Sequence, residues 1–75
     1  MATLAQLKAE AAKHSAELII DRDFGWAEAW LPETKEWYAT SARCIVSSSG
    51  HTGAGVMPKV YEYLIEDMRE GFTEA

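Results

Sequence analysis

The segment WAEAWLPETKEW, residues 26–37, contains all three tryptophans of the chain and decides how the fold is interpreted. Large and small side chains alternate along residues 26–30, and this two-residue period is typical of a β-strand, which we predict over residues 26–31. Pro32 has no backbone N–H to donate to a neighbouring strand, so it predicts the end of this one. The alternation predicts one strand face with Trp26, Glu28 and Trp30 and an opposite face with Ala27, Ala29 and Leu31.

Further strands are predicted on both sides of this segment. The apolar, β-branched run Glu17–Asp21 suits a strand, and it leads into a turn over residues 21–25 in which Gly25 is free to adopt a positive φ. Trp37–Thr40 predicts an extended segment, and Arg43–Ser48 predicts a strand built on Cys44, Ile45 and Val46. The pattern leaves open whether these last two segments form one bent strand or two.

A helix is predicted before the strands. Thr3 is a suitable N-cap, and Gln6 three residues later completes a capping-box pattern. An apolar face then recurs at helical spacing and is formed by Leu4, Leu7, Ala11, His14 or Ser15, and Leu18. We expect this helix to end near Ser15, where the period changes.

A second helix is predicted at the end of the chain. Pro58 suits its first turn, where the missing N–H has no helical partner in any case. Gly71 suits the position just after the helix and lets Phe72 fold back on the last turn. The apolar stripe consists of Val60, Tyr61, Leu64, Met68 and Phe72. Residues 47–55, rich in serine and glycine, predict a flexible connector, because their glycines do not match a phosphate-binding loop. Binding of a small ligand by this loop is the third alternative function.

The order of these elements, α-β-β-β-α, predicts an α+β fold. Short connections favour a small antiparallel meander of three to four strands, flanked by the N-terminal and C-terminal helices, which cover one face. At 75 residues the chain is expected to form a single domain, residues 1–75. The other sheet face is then open unless a second subunit covers it.

Length and composition limit the class of protein. A chain of 75 residues has a thin stability margin, and one cysteine excludes an internal disulfide, so a homodimer is an expected route to extra stability. No run approaches the about 20 apolar residues of a membrane span, and the N-terminus lacks the features of a signal peptide. We expect a soluble, cytoplasmic protein. The net charge of −5 disfavours direct binding to nucleic acid.

Residues suited to catalysis or metal binding do not form a recognisable motif. Cys44 lies in an apolar run, where a cysteine is typically a small core residue. His14 and His51 share no zinc-ligand spacing with it, and Asp21 and Asp23 lack the further ligands of a calcium loop. We therefore expect a protein with no enzymatic activity, no metal site and no cofactor.

An aromatic surface is the first candidate for binding a protein partner. The tryptophan-rich segment either fills the core beneath the helices or lies on the open sheet face, where tryptophan and tyrosine are frequent interface anchors. Because Trp26 and Trp30 share a strand face with Glu28, which resists burial, the alternation favours the open face. The candidate residues of this surface are Trp26, Glu28, Trp30, Trp37 and Tyr38.

An acidic surface is the second candidate. Residues 60–75 contain five acids against Arg69 alone, and Glu62, Glu66 and Glu70 repeat every four residues along the closing helix. Carboxylates at this spacing suit a basic groove meant for nucleic acid, so the alternative function is an acidic inhibitor or nucleic-acid mimic acting on a host protein. A solvated helix face accounts for the same pattern.

The segment FGWAEAWLPETKEW, residues 24–37, lies between two short predicted helices, and in this arrangement the chain resembles the short proteins carried by bacteriophages and prophages. The resemblance spans most of the chain and implies an accessory factor that binds a host or phage protein, but it transfers no functional residue. We expect a non-enzymatic protein-interaction module that binds a partner or itself through the aromatic sheet face.

Overall fold

The computed structural model describes residues 2–33, 37–41 and 56–74, and these ranges form a small α+β fold. The helices are α1, Leu4–Lys13, and α2, Met57–Glu70, and the strands are β1, Glu17–Asp21, β2, Trp26–Trp30, β3, Trp37–Thr40, and β4, Thr73–Glu74. The predicted order α-β-β-β-α is confirmed, and the two-residue strand β4 is an addition to it. The predicted strand Arg43–Ser48 and the connector 47–55 lie outside the described residues.

Helix α1 begins at the predicted capping box. The Thr3 hydroxyl accepts a hydrogen bond from the Gln6 N–H at 3.2 Å, and Gln6 Oε1 accepts one from the Thr3 N–H at 2.8 Å. These bonds satisfy two backbone donors that have no partner within the helix. Leu7 and Ala11 lie on the buried face of the helix, as their spacing predicts.

Helix α1 ends at Lys13, with His14 as its C-cap, which is close to the predicted end near Ser15. Ser15 adopts a left-handed backbone conformation with φ 57°. The Ser15 N–H then donates to the Ala12 carbonyl at 3.2 Å and the Ala16 N–H donates to the Ala11 carbonyl at 2.9 Å, which is the bonding of a Schellman motif. This motif reverses the chain and directs it into β1.

The sheet is antiparallel with strand order β1-β2-β3-β4. The predicted turn between β1 and β2 is present, with Gly25 at φ 74°. Asp21 Oδ1 accepts hydrogen bonds from the N–H groups of Asp23 and Phe24, both at 3.0 Å, which holds this turn in place. Strand β2 ends at Trp30, one residue before the predicted Leu31.

Helix α2 buries four residues of the predicted apolar stripe, Val60, Tyr61, Leu64 and Met68, together with Met57 and Ile65, which were not predicted. The fifth predicted residue, Phe72, lies beyond the end of the helix. Gly71 follows the helix at φ 124°, a conformation that favours glycine. Phe72 then contacts His14 edge to face, with ring centroids 5.4 Å apart. The residue after Gly71 therefore packs on the end of α1, and β4 joins the sheet directly behind it.

The core lies between the two helices and one face of the sheet. That face presents alanines to the helices, since Ala27 and Ala29 have no exposed surface and Ala39 has 5%. Leu7 of α1 and Leu64 of α2 are fully buried in the same cluster. Small side chains on the sheet allow the helices to approach closely, which leaves the large aromatic residues of β2 on the other side.

Candidate interaction surface

The side chains on the two faces of β2 differ in how deeply they are buried. Ala27 and Ala29 are buried, whereas Trp26, Glu28 and Trp30 are each half-buried. This is the division of faces that the alternation predicts. The tryptophans of this strand consequently do not belong to the buried core between sheet and helices.

Strand register assembles these residues into a continuous surface. In an antiparallel sheet, directly opposed residues share a face, and here Trp26 opposes Asp21, Glu28 opposes Ile19 and Trp30 opposes Glu17. On the other side, Glu28 opposes Thr40 and Trp30 opposes Tyr38, which in turn opposes Thr73. We call this set the outer face: Glu17, Ile19, Asp21, Trp26, Glu28, Trp30, Tyr38, Thr40 and Thr73.

The centre of the outer face is an aromatic pair. The rings of Trp30 and Tyr38 stack with centroids 5.1 Å apart and planes inclined by 26°. Such a pair contributes about 0.5–1.5 kcal/mol beyond the area it buries. The indole Nε1 of Trp30 is buried and has no hydrogen-bond partner. A buried indole N–H usually has one, so this donor is an unsatisfied polar group at the aromatic centre of the face.

Apolar side chains at the margin of the outer face are well exposed. Ile19, in the middle of β1, is 49% exposed, and Phe24, at the tip of the turn between β1 and β2, is 64% exposed. Within the described part of the chain, β1 is the last strand on its side of the sheet and both helices lie beneath the inner face. The aromatic face and the edge of β1 are therefore adjoining surfaces.

Trp37 is separated from the other candidate residues. It precedes Tyr38 in β3, and consecutive strand residues point to opposite faces, so Trp37 and Tyr38 do not share one. Trp37 opposes Glu74 of β4 and is 37% exposed. The structure thus brings Trp26, Glu28, Trp30 and Tyr38 together and places Trp37 on the helix side of the sheet.

The acidic candidate residues all lie on the solvent side of α2. Glu62, Glu66 and Glu70 are exposed, as a helical spacing of four residues predicts. Two of them, Glu62 and Glu66, line a groove of about 440 Å³ between α1 and α2. The basic residues Lys13 and Arg69 line the same groove, so its charge is mixed and not purely acidic.

A buried carboxylate at the junction of the helices was missed by the sequence analysis. Glu10 is 5% exposed, and its oxygens lie 3.0 Å from His14 Nε2, 3.2 Å from Arg69 Nε and 3.6 Å from Lys13 Nζ. The pKa of Glu10 lies below its ordinary value of 4.5, mainly because of the hydrogen bond with His14. The hydrogen bond and charge of Arg69 and the charge of Lys13 lower the pKa further, whereas burial raises it. The sequence feature that indicates this site is the position of Glu10 three residues after Leu7 and four before His14, which puts it on the same side of the helix as both.

Residues 2–33, 37–41 and 56–74 contain neither a metal-binding cluster nor a membrane-spanning helix. No three histidine, cysteine or acidic side chains in these ranges lie together as metal ligands would. Neither of the two helices there is long and apolar enough to cross a membrane. Comparison with protein-family models, with curated proteins and with solved structures returned no match to this chain.

Proposed function

We propose that this protein is a non-enzymatic interaction module whose outer face binds a partner protein or a second copy of the chain. The main observation that supports this proposal is that Trp26, Trp30 and Tyr38 lie on the side of the sheet away from both helices. Tryptophan and tyrosine are enriched among the residues that dominate binding energy at interfaces. The resemblance to short phage proteins supports an accessory role of this kind in the cytoplasm.

The chemistry of the outer face supports binding over catalysis. An interface anchor needs a large ring with part of its surface accessible, and Trp26 and Trp30 are each half-buried. Ile19 and Phe24 extend the apolar area to the sheet edge and to the turn. Large apolar side chains on an open sheet face suit a contact with another protein better than a substrate site, because substrate pockets are concave.

Substitution of single tryptophans tests this proposal. Trp26→Ala removes an outer-face ring that is not part of the aromatic stack, whereas Trp37→Ala removes one from the other side of the sheet. We expect association to be lost in Trp26→Ala and retained in Trp37→Ala. Self-association is measured by sedimentation equilibrium and partner capture by affinity pull-down. Association that persists in Trp26→Ala, or no association of either kind, contradicts the proposal.

A second candidate function rests on the exposed row of Glu62, Glu66 and Glu70. Their carboxylates repeat along one solvent-facing side of α2, about 6 Å apart along the helix axis. We propose, as the alternative, an acidic inhibitor that occupies a basic nucleic-acid site on a host protein. Its test is simultaneous charge reversal of the three glutamates to lysine. Loss of partner binding, together with strong salt sensitivity in the parent protein, supports it; unchanged binding rejects it.

A further inference from the structure

We propose that the outer face is a receptor for cationic side chains, so that its partner is a basic protein segment presenting arginine or lysine. This inference rests on the proposed function, because it names the class of partner that the aromatic face accepts. It also decides between the two binding partners named above, a different protein and a second copy of the chain.

Acidic and aromatic side chains alternate across β1 and β2. Trp30 opposes Glu17 and has Glu28 two residues away on its own strand. Trp26 opposes Asp21 and has the same Glu28 two residues away on the other side. Each tryptophan is therefore flanked by two carboxylates, one across the strands and one along β2.

The spacing suits a guanidinium or an ammonium group. Residues two apart on a strand are separated by about 7 Å, and directly opposed residues by about 5 Å. A planar guanidinium accepts both kinds of neighbour at this range, because it stacks on an indole ring and donates to a carboxylate in its own plane. Tyr38 stacks on Trp30, whereas Trp26, the other tryptophan of the outer face, makes no described ring contact.

The charge of the outer face has one sign. Its nine residues include three acids, Glu17, Asp21 and Glu28, and no lysine, arginine or histidine. The nearest base in sequence, Arg22, lies in the turn beside the face and not on a strand. An incoming cation consequently meets carboxylates and rings, which favours a basic partner electrostatically.

The same charges disfavour a second copy as the occupant. Two outer faces packed on each other bring two sets of three carboxylates together. Antiparallel pairing of two β1 edges centred on Ile19 does not remove this repulsion, because it places Glu17 of each copy opposite Asp21 of the other. Like charges directly opposed across strands are destabilising. A different protein with basic side chains is therefore the occupant that the face accepts.

The test is a titration of the full chain with a defined probe. The probe is a capped peptide of alternating arginine and threonine, and its control is the same peptide with citrulline, which keeps the shape of arginine without the charge. Binding is followed by NMR through the indole N–H signals of Trp26 and Trp30. We expect these signals to shift with the arginine peptide, to shift little with the citrulline peptide, and to return as salt is raised.

Variants assign the binding to the outer face. We expect Glu28→Gln to weaken the affinity for the arginine peptide about tenfold, because it removes a charged hydrogen-bond acceptor. Glu17→Gln, at a more exposed position, is a second variant with the same expected effect. Glu33→Gln is the matched control, since it makes the same change of charge at an exposed position that belongs neither to the outer face nor to the acidic row of α2. Thermal unfolding of each variant confirms that it is folded before it is titrated.

The outcomes separate this inference from the proposed function. Equal binding of the two peptides, or binding unaffected by Glu28→Gln and Glu17→Gln, overturns the cation receptor but leaves an aromatic interaction face. If the protein dimerises and Trp26→Ala abolishes the dimer, the cation receptor is likewise overturned and the aromatic interaction face remains. Shifts confined to the amides around Glu62 and Glu66, or no binding of the arginine peptide, overturn the inference, and the first of these supports the acidic helix as the binding surface.

Discussion

Arg69 Nε lies 3.2 Å from Glu10 Oε1 and joins the last turn of α2 to the last turn of α1. The two residues are 59 positions apart in sequence. Glu10 also makes a hydrogen bond with His14, the C-cap residue of its own helix, and the His14 ring contacts Phe72 just before β4. One buried carboxylate thus connects both helices with the segment that leads into the last strand.

The Glu10 contacts predict an acid-sensitive stability. Because its pKa is lowered in the folded protein, Glu10 stabilises the fold fully above its ordinary value of 4.5, and the contribution disappears as pH falls through the lower native pKa. Glu10→Gln should therefore be less stable than the parent protein at pH 7, with the difference narrowing below pH 4.5. Urea unfolding from pH 7 to pH 3 measures it. Glu70→Gln is the control, and a difference that is independent of pH contradicts this role.

The left-handed conformation of Ser15 predicts a stabilising substitution. A residue with a Cβ at φ 57° is strained by about 1–2 kcal/mol relative to glycine, although glycine also adds entropy to the unfolded chain. We expect Ser15→Gly to raise the free energy of unfolding by about 0.5–1 kcal/mol. Ala12→Gly, at an exposed position inside the same helix, should instead lower it by about 1 kcal/mol. Chemical denaturation compares the two, and a destabilised Ser15→Gly contradicts the expectation.

The buried alanines of the sheet predict intolerance to larger side chains. Ala29 has no exposed surface and faces the helices, so Ala29→Leu forces the sheet and α2 apart and should cost about 1–3 kcal/mol of unfolding free energy. Ala12→Leu, at an exposed position of α1, should change it by less than about 0.5 kcal/mol. The comparison is made by thermal and urea unfolding. Similar effects at both positions would show that the inner face of β2 is not tightly packed.

The sequence predicted those parts of the fold that depend on local periodicity and capping. The Thr3–Gln6 box, the turn at Gly25 and the apolar stripe of α2 follow from rules that act within a few residues, and the structure confirms all three. Strand β4 was not predicted, because two residues are too few to show a period. It forms where Gly71 turns the chain and Phe72 packs on His14, a contact between distant parts of the sequence.

The candidate surface was predictable to a similar extent. The two faces of β2 follow from its alternation, but the partners of each residue depend on register with β1 and β3, which a single strand does not reveal. The inclusion of both Trp37 and Tyr38 in one surface overlooked that neighbouring strand residues point to opposite sides. Glu10 was missed because its partner Arg69 approaches from the other helix, although its place on the apolar side of α1 was visible.

The most direct measurement is the accessibility of Trp26 in the free protein. In a variant with Trp30→Phe and Trp37→Phe, Trp26 is the sole tryptophan, and its fluorescence reports on the outer face alone. We expect acrylamide to quench this emission in the free protein and the arginine–threonine peptide to protect it. A strongly blue-shifted emission that acrylamide does not quench would show that the outer face is already covered, which contradicts its role as an interaction surface.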